Sequence, residues 1–509
     1  MKTTFEVALA LVPFVALFAG FLLFRLNGLV ASFYAWLCEM AVFLFYYDMP
    51  VIRSVEASLW SNIAMWSAFL VIYAGQIFGQ AYRATGLLSV LCEAVESIMP
   101  AGDRKGRAIA MVAVVGGFIG AFNGFATYPV TIPGLVELGF DGVQAITAYL
   151  CFFSWQESFV SLFISANIAN AATQIPIASL APYIGILNIP LCFLTCLGFF
   201  KLLGFRLGDR DSQVLMLLSG TANVIAITVF CILWPELYIL TLIGGAGLSL
   251  LFLTLYGRYA GRLGINGLAK ASDRATAPAK RNMGPAMQAF APLLIGIACV
   301  LVAHLPVVEH WLEGAAFKVA LWGYSPTKVS FFTSAGFFVL ITAASCYVFS
   351  VQSANPLRDF VLASRRASSS LATFFVGSAM VYLMVDSGQV KLLGDVLSGG
   401  GRVVYAAFNP VLAYFAGMAF GQGLPATFML SKLQMTVGPS LAIGLPLLVA
   451  IVTVETVGPN NPLKPTIIRL GASLVGVEGK DPLIFRLLLP WQLLGLAVTA
   501  VIAFVLALM

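Results

Sequence analysis

Charge is what this chain has least of. Of its 509 residues, 22 are Asp or Glu and 28 are Lys or Arg, together 10%, where a soluble protein carries about 25%. So few charges cannot give a body of this size a hydrated skin. The shortage nearly excludes a cytosolic enzyme, a nucleic-acid binder and a disordered chain. Histidine is scarcer still. His304 and His310 are the whole supply, too few to build a zinc or haem site. The eight cysteines are scattered through apolar runs, and only Cys192 and Cys196 lie close together, separated by Phe193, Leu194 and Thr195. That spacing suggests no metal shell, and no cofactor is expected. The net charge of +6 is not a nucleic-acid signature either. Six bases and one acid fall in one loop, Arg258 to Arg281.

What the chain has instead is hydrophobic residues, 60% of the total, with a mean hydropathy of +0.95. Its solvent is mostly lipid. A span needs about 20 mostly apolar residues. Such runs occur near 6–24, 28–47, 59–80, 142–163, 183–203, 216–233, 236–256, 286–305, 328–350, 368–385, 437–456 and 484–508. The first reads as a span rather than a cleavable leader. An all-α multi-pass membrane protein of about 12 transmembrane helices is expected. The Lys/Arg bias puts Arg104, Lys105 and Arg107, the pair Arg365 and Arg366, and the loop 257–285 in the cytoplasm. Three units follow: a first membrane repeat over 1–257, a basic cytoplasmic linker over 258–285, and a second repeat over 286–509.

Two stretches fit poorly as plain spans and resemble each other. One is FIGAFNGFATYP, Phe118 to Pro129; the other is FAGMAFGQGLP, Phe415 to Pro425. Each has Phe-x-Gly, a glycine four residues on, an amide beside that glycine (Asn123 or Gln422) and a proline soon after. Each is trailed by a lone glutamate in an apolar run, Glu157 or Glu455. The loop charges put the two stretches on opposite sides. Two inverted repeats with broken or re-entrant helices are therefore expected, an arrangement common in secondary transporters.

The polar residues narrow the chemistry. A broken helix leaves N–H groups free at one end, and these favour anions. Asn123, Gly124, Gln422 and Gly423 are candidate donors on these grounds. Carboxyls at membrane depth are costly unless paired, protonated or facing water. Glu157 and Glu455 are therefore candidates for coupling to a proton or another cation, with Glu39 a weaker one. The segment Gly458-Pro-Asn-Asn-Pro-Leu-Lys-Pro465 cannot be regular helix, because it holds three prolines. Asn460, Asn461 and Lys464 are its candidate anion contacts; a lysine that only snorkels to the interface is the plainer alternative.

Several motifs resemble the L-lactate permease family of bacterial monocarboxylate carriers. Pro465 opens an apolar run to Gly476, followed by VEGKDPLIFR, Val477 to Arg486. Gly116, Phe118, Gly124, Phe125 and Pro129 fall in the places of a family Gly/Phe/Pro stretch. LWSNIAMW, Leu59 to Trp66, and Thr85-Gly86 are further matches. The resemblance implies a carrier in the bacterial inner membrane that takes lactate, or in relatives glycolate, inward with protons. The family's glutamate in the first stretch falls on Gly120, and its Gly-Lys-Met-x-Ser-Pro falls on Asn460 to Pro465. A relative with a different substrate is thus also open.

The expected function is a secondary active transporter, a symport-type permease, for a small organic anion such as lactate, coupled to protons or sodium. A cation/proton antiporter using Glu157 and Glu455, and a non-transporting membrane subunit of a larger complex, are the alternatives. Partners would be the anion, the coupling ion and membrane lipid. A homodimer is compatible with the sequence.

Overall fold

The computed structural model describes residues 2–22, 24, 26, 28–97, 99, 103–259, 283–419 and 423–509. Most of the linker (260–282), and with it Arg262, Lys270, Arg274, Lys280 and Arg281, lies outside the described residues. A backbone in lipid must satisfy its own polar groups, and helices do so within one segment. The chain is accordingly helical apart from one small hairpin among the described residues.

Helices α1 (Lys2–Leu22) and α2 (Gly28–Phe45) pack on each other. Helices α3 (Val51–Ala64) and α4 (Trp66–Ala84) meet at a 58° bend around Met65. Gly86, at φ +75°, turns the chain into α5 (Leu87–Glu96); few residues other than glycine adopt that conformation. Helix α6 (Arg104–Phe122) contains a π-helical turn at Met111–Val115. Asn123 then breaks the helix in an extended conformation before α7 (Gly124–Glu137). Next come α8 (Gly142–Gln156), α9 (Val160–Thr173), α10 (Ile177–Leu202), α11 (Arg210–Leu233) and α12 (Pro235–Tyr259).

After the linker come α13 (Met283–Ala303) and α14 (Pro306–Glu313). The antiparallel strands β1 (Phe317–Val319) and β2 (Thr327–Val329) follow, with Lys318 opposite Lys328. Then come α15 (Ala335–Val348), the long α16 (Pro356–Asp386), α17 (Gln389–Ser398), α18 (Gly401–Ala419), α19 (Gly423–Leu441) and α20 (Leu445–Val457). Helices α21 (Pro465–Leu474) and α22 (Asp481–Leu508) close the chain.

Twelve spans and two inverted repeats are not what the structure contains. Among the described residues seven helices are long and apolar enough to cross a membrane, or eight if the bent pair α3–α4 is one span. No clear pattern of duplicated, inverted halves is visible among them. Four of the seven precede the linker and three follow it. The overcount has a physical cause. Hydropathy averaged along the chain runs straight through a break. The apolar run 142–163 divides after Gln156 into α8 and α9. The run 437–456 covers the end of α19 and most of α20. The run 328–350 begins in a strand, passes through a single 3-10 turn, and is α-helix only over Ala335–Val348. A helix buried inside the protein is apolar all round whatever its length, so composition alone does not mark a crossing.

Burial orders the layers. The apolar window of α6 is 89% buried, whereas that of α22 is 33% buried, so α6 is central and α22 keeps a broad outer face. Helix α4 packs on α15 and α16, which joins elements from either side of the linker. The breaks around Asn123, Glu157 and Gly458 all reach one internal cavity.

Candidate functional site

The cavity has a volume of about 580 Å³. Its wall includes Gln76, Gln80 and Arg83 from α4, Asn123 and Gly124 at the first break, Glu157 just after α8 and Ser161 in the first turn of α9. Arg366 and Thr373 from α16, Gly423 at the start of α19, Asn461 and Lys464 from the proline-rich turn, and Thr466 at the start of α21 also line it. Most of the residues singled out in the sequence therefore converge, although they are up to 341 positions apart, from Asn123 to Lys464.

The proline-rich turn supplies the floor. Helix α20 ends at Val457, a 3-10 turn covers Asn461–Leu463, and Lys464 stands at the N-cap of α21 with extended backbone. Prolines 459, 462 and 465 lack N–H groups, so the chain loses little by leaving helical geometry here. The Lys464 side chain is 1% exposed. Among the described residues no carboxylate lies within 4.0 Å of its ammonium. The positive end of α21 adds to its charge.

Glu157 is held beside it. The Tyr128 hydroxyl donates to Glu157 Oε1 at 2.8 Å, and Asn461 Nδ2 donates to the same oxygen at 2.5 Å. Asn461 Nδ2 also donates to the Tyr128 hydroxyl at 2.9 Å. Tyr128, Glu157 and Asn461 thus form a closed triangle. The next turn is unusual. Ser161, Leu162 and Phe163 have φ of 51°, 53° and 66°, a left-handed conformation that costs non-glycine residues of the order of 1–3 kcal/mol each. It brings Ser161 Oγ to accept from the Gly124 N–H at 3.3 Å.

Other expected contacts are placed differently. Both ends of the Asn123 amide are engaged by backbone: Oδ1 accepts from Phe125 N at 3.0 Å, and Nδ2 donates to the Gly75 carbonyl. Asn123 caps α7 and ties it to α4. Asn460 is fully buried and absent from the cavity wall. Its Nδ2 donates to the carbonyls of Tyr414, at 3.1 Å, and Glu455. Glu455 is 1% exposed and also lies off the wall, accepting from Thr499 Oγ1 on α22. Gly423 lines the cavity, while Gln422 and Gly421 lie outside the described residues. Tyr128, Arg83 and Arg366 were not legible as site residues. Tyr128 is only a tyrosine one turn past a broken helix, Arg83 an arginine at the end of an apolar run, and Arg366 half of a pair that marked the cytoplasmic side.

A family model described as L-lactate permease matches residues 6–509. The L-lactate permease of Salmonella typhi is 22% identical over 537 residues, covering 97% of this chain and 94% of that protein. The L-lactate permease of Escherichia coli (strain K12) is 22% identical over 535 residues, with the same coverage. Among solved structures, the crystal structure of the Alcanivorax borkumensis YdaH transporter matches with a TM-score of 0.47 at 16% identity, covering 89% of this chain and 88% of that one. Since the family match runs from residue 6 to the last, on a chain built of long apolar helices, this protein belongs to the L-lactate permease family and is a multi-pass transporter of the inner membrane.

Proposed function

We propose that the cavity carries a small organic anion such as lactate, with a proton or sodium ion as the coupled cation. The observation that carries this reading is Lys464. It is a buried ammonium on the cavity wall, at the positive end of a helix, without a carboxylate at ion-pair distance among the described residues. A substrate carboxylate supplies the missing partner. Asn461 and the opening turn of α21 direct it, Gly124 and Gly423 line its path, and Asn123 and Asn460 hold the two breaks in shape. The names of the curated relatives agree with a lactate-like substrate.

Glu157 is the coupling group in this reading. It shares the cavity with Lys464, and its hydrogen-bond partners come from two different elements, Tyr128 from α7 and Asn461 from the proline-rich turn. Loading or emptying Glu157 would therefore be felt where the anion sits. Glu455, bonded to α22, is a second coupling position away from the anion. The charge balance of the wall speaks against a cation antiporter, since Arg83, Arg366 and Lys464 face a single acid, Glu157. The test is uptake by proteoliposomes of a panel of small carboxylates, with and without a pH or sodium gradient. Gradient-driven accumulation of a carboxylate is expected. Uptake of none, together with cation exchange, would sink the proposal.

A further inference from the structure

The cavity has two positive regions, and Lys464 accounts for only one. Lys464 is buried, whereas Arg83 and Arg366 line the same cavity and are exposed. That difference marks the arginines as the mouth and the lysine as the floor. Arg83 lies three residues after Gln80 on α4, so both share one helix face. Gln80 holds the second arginine in place: its Oε1 accepts from Arg366 Nη1 at 2.7 Å. The other end of the Gln80 amide donates to Asp359 Oδ1 at 3.1 Å, and Asp359 Oδ2 accepts from the Tyr347 hydroxyl at 3.3 Å. Asp359, the nearby acid, is thus engaged by an amide and a phenol. Neither arginine has a carboxylate within 4.0 Å among the described residues. Interfacial arginines that only anchor a helix point to headgroups; these two turn to the cavity, and one is fixed by a chain of three side chains.

We propose that Arg83 and Arg366 form an outer anion-binding site at the mouth of the cavity, which takes the carboxylate of a small organic acid on its way to or from Lys464. This rests on the anion reading above. A planar guanidinium pairs a carboxylate through two parallel hydrogen bonds, so shape as well as charge is recognised. Two cations at a cleft mouth also raise the local anion concentration, an effect that salt screens. A weakly held outer site and a buried inner one let an anion step between charges without being trapped.

The test is equilibrium binding of radiolabelled two- to four-carbon carboxylates, lactate among them, to the purified full-length protein at low and high NaCl. In the double variant Arg83→Gln/Arg366→Gln, affinity for the best-bound carboxylate should fall about tenfold at low salt. The gap from wild type should close at high salt. Arg83→Lys/Arg366→Lys keeps the charge and guards against misfolding. It should recover the salt dependence but only part of the affinity, because lysine lacks the fork. Wild-type affinity and wild-type salt dependence in the double Gln variant would overturn the outer site alone. A wild-type protein that binds no carboxylate would overturn both this site and the function proposed above.

Discussion

Lys464 is the side chain on which most depends. A buried ammonium with no carboxylate at ion-pair distance among the described residues is a costly thing to keep, and an anionic substrate offsets that cost. Lys464→Gln is expected to weaken carboxylate binding by about tenfold or more, roughly 1.4 kcal/mol, with protein abundance little changed. A change within about twofold, roughly 0.4 kcal/mol, measured by direct binding, would make the lysine a packing residue only. Glu157→Gln is expected to leave carboxylate exchange running while removing its response to a pH jump. Unaltered coupling in that variant would take Glu157 out of the mechanism. Glu157, Asn461 and Lys464 were legible in the sequence because a charge or amide inside an apolar run stands out. Arg83 and Tyr128 were not, because an arginine at a helix end and a tyrosine beside a proline have many ordinary explanations. Asn123 was legible as important but not in its task, since only the structure places Phe125 N and the Gly75 carbonyl at the two ends of its amide.

At the level of elements, the helix starts and turns that line the cavity depend on close backbone approach. A Cβ on Gly423 would collide with the carbonyl of Thr456 and meet Val457 Cγ1 at 2.9 Å. The obstacle is backbone and cannot rotate away. Gly423→Ala is therefore expected to cost about 1–3 kcal/mol, to lower the melting temperature and to reduce uptake. Gly247 is the control. It lies in α12 with nothing within 4 Å of an added Cβ, and Gly247→Ala should be neutral or stabilise by up to about 1 kcal/mol through helix propensity. Thermal melts of the two variants in detergent check this, and equal melting temperatures would count against it. The sequence marked Gly423 as part of an unusual stretch. It held no sign that Thr456, more than thirty residues on, would press against it.

At the scale of the whole molecule, the hairpin is latched to the helix ends. Arg53 Nε meets Asp386 Oδ2 at 2.7 Å, and the Tyr324 hydroxyl donates to the same oxygen at 2.6 Å. Arg53 Nη1 also donates to the Trp322 carbonyl at 2.9 Å, and the Tyr324 ring stacks on Trp60 at 5.4 Å between centroids. Burial, and then the hydrogen bond to Asp386, push the Tyr324 phenol up from its ordinary value, so it remains a donor at physiological pH. The latch joins α3, the hairpin and the end of α16. Tyr324→Phe and Asp386→Asn should each lower stability by about 1–2 kcal/mol, with the double variant losing less than the sum by about 0.5 kcal/mol or more. Strictly additive melting shifts would show that the two groups do not act together.

The sequence by itself determined the solvent, the helical character, the family and the few polar residues worth watching. Those properties belong to residues one at a time or to windows of neighbours, and composition and local spacing carry them. Only the tertiary structure decided how many apolar helices are long enough to cross, and that Glu157, Asn461 and Lys464 share a cavity while Glu455 and Asn460 do not. It also decided that Arg83, unremarked in the sequence, and Arg366, read there only as a cytoplasmic marker, stand together at the cavity mouth. Hydropathy adds up along the chain and is blind to a break such as the one between α8 and α9. Convergence depends on what packs across the chain, where Asn123 meets Gly75 and Tyr128 meets Asn461, pairs 48 and 333 residues apart.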